Sequence, residues 1–139
     1  MEITANAVQT VAANQDILFT NIPISGNCNT LWRDGSGIVT LRGLTQQCRA
    51  RYKVTFGANV AIPSTGTAGA ASFALAINGE AVSSTKMIST PGAVNDYNNI
   101  ATTIFIDVPR GCCSQVSIKN IGTQSTNVQN ANLIVERVA

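Results

Sequence analysis

The sequence has no histidine, and only 12% of its 139 residues are charged, against roughly 25% in an average soluble domain. Without imidazole, Ser-His-Asp and Cys-His nucleophile pairs and histidine-containing metal sites are excluded. Strong helix formers are scarce too. Leu, Glu and Lys together number 12, whereas Val, Ile and Thr together number 41. That imbalance favours strands and nearly excludes an all-helical chain. No Lys/Arg run supplies the basic stripe that phosphate binding needs, and the net charge is only +2, so neither nucleic acid nor an anionic membrane is an expected partner. No apolar run approaches the roughly 20 residues of a membrane helix. The glycines punctuate strands and form no phosphate loop. Met1-Glu2-Ile3-Thr4-Ala5-Asn6 has neither a basic n-region nor an apolar h-region. The expectation is therefore synthesis in the cytoplasm without a signal peptide, any later export going by lysis, particle assembly or a signal-less route.

What is present suits one β domain covering residues 1–139. Hydrophobic residues make up 45% of the chain, enough for a core, which argues against disorder. Period-2 alternation and turn residues predict short strands at short intervals. An opening pair covers Val8–Val11 and Asp16–Thr20. Thr30–Arg33 and Ile38–Arg42 form a hairpin around Asp34-Gly35-Ser36-Gly37. In Cys48–Phe56, Tyr52, Val54 and Phe56 share one face, with Arg51, Lys53 and Thr55 on the other. A Gly/Ser/Thr/Pro-rich connection over Ala58–Ala70 leads to Ala71–Asn78. Asn78-Gly79 is a strong hairpin signal, followed by a return over Ala81–Val82 and Thr85–Ser89 and a loop over Pro91–Asn99. Ile100–Val108, Gln115–Ile121 and Val128–Val138 complete the set, the last lying inside a sheet.

Eight to ten strands without a helix point to a jelly-roll sandwich of two antiparallel sheets. An immunoglobulin-like sandwich is the alternative, but the lone Trp32 has no flanking Cys pair at the spacing that fold uses.

Three stretches carry a resemblance: Gly37-Ile38-Val39-Thr40-Leu41-Arg42-Gly43, Tyr52-Lys53-Val54-Thr55-Phe56, and Ala74-Leu75-Ala76-Ile77-Asn78-Gly79 with Glu80-Ala81-Val82 behind it. Together they resemble the middle of a C1q/TNF-like jelly roll. Ile104–Gly111, the Val116-Ser117-Ile118-Lys119-Asn120 strand and the final Ala131–Val138 resemble its later strands. The resemblance covers about Ile38–Ala139, and residues 1–29 match more loosely. Bacterial versions include the heads of exosporium glycoproteins of spore formers and small virion proteins of phages infecting Gram-positive bacteria. A chain that starts at its own Met1 and carries no collagen stalk is more similar to the phage type.

The resemblance implies a homotrimer packed around strands that are apolar on both faces. Ile104, Ile106 and Val108 take one side of their strand while Phe105 takes the other. Leu133 and Val135 likewise oppose Ile134. Phe105 and Ile134 are thus expected at the subunit interface, together with Arg51 and Lys53, whose expected partners are Asp107 and Glu136 on neighbouring strands. A thick monomeric core that simply exposes Phe105 and Ile134 is the alternative.

The seven acidic residues are scattered through turns and strand ends. No catalytic residue is assigned, although spacing alone leaves a carboxylate pair of the glycosidase kind open. No metal or other cofactor is expected. Cys28, Cys48, Cys112 and Cys113 admit three readings. A four-cysteine zinc site would need better knuckles than the vicinal Cys112-Cys113. Buried thiols suit a protein made in a reducing compartment. Disulfides formed after release are the third reading, and the resemblance would bring Cys48 towards Cys112 or Cys113, with Cys28 near the same end. Trp32 and Tyr97 sit near loops, where aromatics stack on sugar rings or act as core lids.

These readings lead to a non-enzymatic structural protein: a trimeric subunit of an extracellular particle, in the first place a phage virion decoration, head-fibre or tail-associated protein. It would contact itself and other virion or surface-layer proteins. The alternative is a glycan- or receptor-binding module on a phage, spore or cell surface.

Overall fold

A computed structural model describes residues 1–139. Twelve strands form two antiparallel sheets, with a single 3₁₀ turn at Ser83–Thr85 as the only helical element. In chain order the strands are β1 (Glu2–Ala5), β2 (Gln9–Val11), β3 (Asn21–Ile24), β4 (Thr30–Trp32), β5 (Val39–Arg42) and β6 (Arg49–Ala61). They continue with β7 (Ala71–Ile77), β8 (Glu80–Ala81), β9 (Met87–Ser89), β10 (Asn98–Pro109), β11 (Cys113–Asn120) and β12 (Thr126–Arg137). The first sheet runs β10-β6-β12-β1-β3, with β2 also on β12. The second runs β4-β5-β11-β7-β8, with β9 also on β7.

The core lies between the two sheets. Tyr52, Val54 and Phe56 of β6, and Leu133 and Val135 of β12, face Val39, Leu41, Phe73, Leu75, Val116 and Ile118 of the second sheet; all are buried. Each buried Val, Leu or Phe contributes on the order of 2 kcal/mol of transfer free energy, so the alternating strands supply most of the cohesion. Asn78 and Gly79 both have positive φ (53° and 86°), the two left-handed residues a tight two-residue hairpin needs, and Ile77 pairs with Glu80 across them.

The strand count exceeds eight to ten for two local reasons. The return strand after Asn78-Gly79 is split by the 3₁₀ turn into β8 and β9, both on β7. The N-terminal segment also pairs with β12 at the far end of the chain. It does so as β1 and β2, interrupted where β12 bulges at Asn130, whose φ of 56° a short polar side chain tolerates.

The predicted strand Asp16–Thr20 pairs only through an isolated bridge, Asp16 to Lys119, its later N–H groups going singly to the Ser36 and Thr4 carbonyls. Ile17 and Phe19 do point into the core, but the segment is crossing between sheets. Its expected partner is replaced by one side chain: the Gln9 amide donates to the Leu18 carbonyl at 2.7 Å and accepts from the Leu18 N–H at 3.0 Å. In the opposite sense, β6 runs on through residues 58–61, where a loop is predicted, because β10 and β12 flank it there on both sides.

Connections between the sheets gather at two ends. Residues 43–48 and 110–112 cross at one end, beside residues 25–29. Residues 62–70, 90–97 and 121–125 occupy the other. At the first end the two crossings touch: Gly43 donates to the Cys112 carbonyl at 2.8 Å, and Gly111 donates to the Gly43 carbonyl at 3.0 Å. A Cβ on Gly43 would collide with the Pro109 carbonyl oxygen, so only glycine fits.

Candidate functional site

The outer face of the first sheet holds the expected interface residues, and register sets them in rows. Asp107 lies opposite Arg51. Next comes Phe105, Lys53, Glu136 across β10, β6 and β12. The following row is Thr103, Thr55, Ile134, Glu2, Ile24, from one edge of the sheet to the other. Further along the strands the face becomes uncharged, with Gly57, Asn59, Asn99, Ala101, Asn132 and Thr4. Phe105 is 59% exposed, Ile24 60% and Ile134 37%, so three large apolar side chains stand in water within the charged half. Water-facing apolar side chains grouped on one sheet face mark a contact surface more often than scattered single ones do.

The charges divide across that half. Arg51 grips Asp107 with a two-pronged bond, Nε to Oδ1 at 2.8 Å and Nη2 to Oδ2 at 3.1 Å, and Arg49 reaches the same carboxylate at 3.0 Å. The Arg51 hydrogen bond is the main reason the Asp107 carboxyl titrates below its ordinary range; the same contact raises Arg51. Lys53 and Glu136 are register partners yet make no ion pair. The β10/β6 side therefore carries an excess of cations, Arg49, Arg51 and Lys53 against Asp107, while the β12/β1 side carries Glu136 and Glu2. Glu2 accepts a hydrogen bond from the Asn132 side-chain amide. Beside it a hollow of about 480 Å³ opens between β3 and β12, with Ile24, Ile134, Glu2 and Glu136 on its walls together with the Met1 terminus and Arg137, which balance the two carboxylates.

Arg49, Glu2 and Ile24 were not anticipated in this site. Ile22 and Ile24 alternate around Pro23, an edge-strand signature, but nothing local in the sequence reveals that β3 ends up beside β1.

All four cysteines are free, exposed and at one end, which removes the burial that the buried-thiol reading requires. The Arg110 N–H donates to the Cys48 carbonyl at 2.9 Å, confirming that the chain before β6 runs antiparallel to the end of β10. Cys28 lies in a turn closed by the Thr30 N–H on the Asn27 carbonyl at 3.2 Å. The thiols and carboxylates form no cluster of three able to hold a metal ion. At the same end the buried Tyr52 hydroxyl donates to the Arg42 carbonyl at 2.6 Å, and desolvation raises its pKa.

Trp32 and Tyr97 are not brought together. Trp32 is half-buried on edge strand β4, packs against the core and donates its indole N–H to the Ser36 carbonyl at 2.8 Å. It is a lid. Tyr97, 41% exposed, precedes β10 at the opposite edge, among the loops of the other end. Those loops are tied together: Asn95 donates to the Ile62 carbonyl at 2.8 Å, and the Gln124 amide bonds the Thr67 backbone in both directions.

No protein-family model and no curated protein sequence matches this chain. Solved structures do resemble it. The globular domain of a zebrafish complement 1qA protein aligns with a TM-score of 0.62 at 12% identity, covering 96% of this chain and 93% of that one. The Eiger TNF of S. frugiperda aligns at 0.71 with 10% identity, covering 100% of this chain and 92% of that one. At such identities the likeness establishes the fold: an all-β sandwich of two antiparallel sheets of the C1q/TNF-like type.

Proposed function

We propose that this chain is a non-enzymatic structural subunit that works as a cyclic homotrimer in an extracellular particle, in the first place a phage virion. The observation that carries the trimer is the divided outer face of the first sheet. That face leaves Phe105, Ile134 and Ile24 exposed beside Lys53 and Glu136, which are register neighbours without an ion pair, a combination that a neighbouring copy can cover. Head-to-tail packing of copies covers it, and a threefold ring closes the packing without leaving an open face. The trimer is also what the resemblance to C1q/TNF-like jelly rolls implies. The virion placement rests on the resemblance to small phage proteins, with synthesis in the cytoplasm followed by assembly into the particle alongside other virion or surface-layer proteins. Native mass measurement tests the first half: a trimer is expected, and a monomer at micromolar concentration overturns it. The second half is tested by the location of the coding sequence, which should lie among phage structural genes; a position elsewhere overturns the virion assignment.

A second reading is supported by the Asn/Thr-rich loops gathered around the exposed Tyr97. A trimer would present three such loop clusters, and three weak sites on one rigid body gain avidity for a surface glycan or receptor. Binding on a glycan array is the measurement, and a blank array leaves only the structural role.

A further inference from the structure

The cysteine end supports an inference independent of the trimer. Two connections cross there from one sheet to the other in mutual contact, residues 43–48 and the turn after β10, which is closed by the Cys112 N–H on the Pro109 carbonyl at 3.0 Å. Cys48 stands beside Arg110 in that turn, two residues from Cys112. Cys48 lies in the bend immediately before β6 and Cys112 closes the turn immediately before β11, so each of the two touching connections carries one of them. Both are exposed at the same end of the sandwich. Cys113 lies inside β11, paired with Arg42 on the outer face of the second sheet and away from Cys48. Cys28 continues the β4 register beside Gly43, with Cys112 on the far side of that glycine. Two interstrand spacings, roughly 10 Å, then separate them, beyond the roughly 7 Å Cα reach of a disulfide.

We propose that Cys48 and Cys112 form an oxidative modification site whose co-substrate is a small disulfide such as oxidised glutathione. The thiolate of one cysteine attacks a glutathione sulfur, forming a mixed disulfide and releasing one glutathione thiolate. The second cysteine's thiolate attacks the protein sulfur of that mixed disulfide. The Cys48–Cys112 bond forms, the protein–glutathione bond breaks and the second glutathione leaves. Both protein thiols lose their protons, and two electrons pass to the small disulfide. All four thiols are exposed, so access does not select the pair; the contact between the two crossings that carry Cys48 and Cys112 does. The product staples the two crossings over the end of the core.

The full chain, folded and equilibrated across glutathione redox buffers, is alkylated with N-ethylmaleimide and mapped by mass spectrometry without reduction. One intramolecular bond is expected between the peptide ending at Arg49 and the peptide Gly111–Lys119, with Cys28 alkylated. That second peptide holds both Cys112 and Cys113, so variants separate them: Cys113→Ser should keep the bond, whereas Cys48→Ser and Cys112→Ser should each abolish it. Closure should raise the melting temperature by roughly 5–10 °C, in the wild type and in Cys113→Ser alone among the variants. A Cys28 bond, a vicinal Cys112–Cys113 bond, covalent dimers or four alkylated cysteines under fully oxidising conditions overturns the proposal.

Discussion

Arg51 and Asp107 face each other across the β6/β10 ladder and hold a two-pronged ion pair, 2.8 and 3.1 Å, with Arg49 on the same carboxylate. Because the folded state lowers the Asp107 pKa, the pair's contribution is complete above the ordinary carboxylate range and is lost as pH falls through the lower folded value. Asp107→Asn should therefore show a shallower loss of melting temperature than wild type between about pH 4 and pH 2. Since the pair is exposed, 0.5 M salt should narrow the difference. Identical acid limbs in the two proteins would rule the pair out as a stabilising contact.

Phe105 tests the assembly face directly. Its side chain is exposed in the single chain, so Phe105→Asp should leave the fold and circular dichroism spectrum intact while abolishing association. Burying an uncompensated carboxylate against the neighbour costs about 3 kcal/mol per contact, weakening each by roughly a hundredfold. Sedimentation should give monomers. A variant that remains trimeric with an unchanged melting temperature would place Phe105 outside the interface.

The alternation that exposes Phe105 and Ile134 is legible in the sequence because both sit in long strands flanked by inward residues of the same period. For the same reason β5, β7, β10, β11 and β12 can be read to within a few residues, and β6 as far as Phe56, although the strand runs on to Ala61. Where pairing is remote, legibility fails. β1 and β3 owe their existence to β12, near the opposite end of the chain, and so the places of Glu2 and Ile24 in the site emerge only from register. Gln9 shows a different limit: period 2 over Asp16–Thr20 correctly buries Ile17 and Phe19, yet a side-chain amide occupies the place of a strand partner. The cysteines mark a third, since average burial tendencies cannot foresee four thiols on exposed crossings.

Asn120 is a fully buried polar side chain at the end of β11. Its amide donates to the Val11 carbonyl at 3.0 Å and the Gln124 carbonyl at 3.1 Å, and its oxygen accepts from the Gly122 N–H at 2.9 Å. The N-terminal segment and the β11–β12 turn are thereby fastened together. Asn120→Ala leaves three backbone groups without their partner, the Val11 carbonyl in a buried place, and should cost about 2–4 kcal/mol in urea unfolding. A loss below about 0.5 kcal/mol would mean water replaces the amide.

Trp32 and Tyr97 should part company under mutation. Trp32→Ala removes packing against the core and the bond to Ser36, so it should lower stability by about 2–3 kcal/mol while leaving any glycan binding unchanged. Tyr97→Ala touches no core residue and should leave stability within about 0.5 kcal/mol of wild type. If a glycan binds, Tyr97→Ala should abolish that binding. Binding lost with Trp32→Ala in a still-folded protein would move the contact to the β4 edge.

Asp16 has the opposite sign to Asp107. Burial where the chain crosses to β11 raises its pKa, only partly offset by the Ser117 hydroxyl and the charge of Lys119. The folded protein therefore holds the Asp16 proton more tightly than the unfolded chain does. This favours folding below the ordinary carboxylate value, and the benefit fades as pH rises through the higher folded value. Asp16→Asn keeps an oxygen to accept the Ser117 hydrogen bond but carries no charge to desolvate. It should melt above wild type at pH 7 and converge with it near pH 3, read as melting temperature against pH for the two proteins. A variant less stable than wild type at pH 7 would show that the Ser117 and Lys119 contacts outweigh the desolvation.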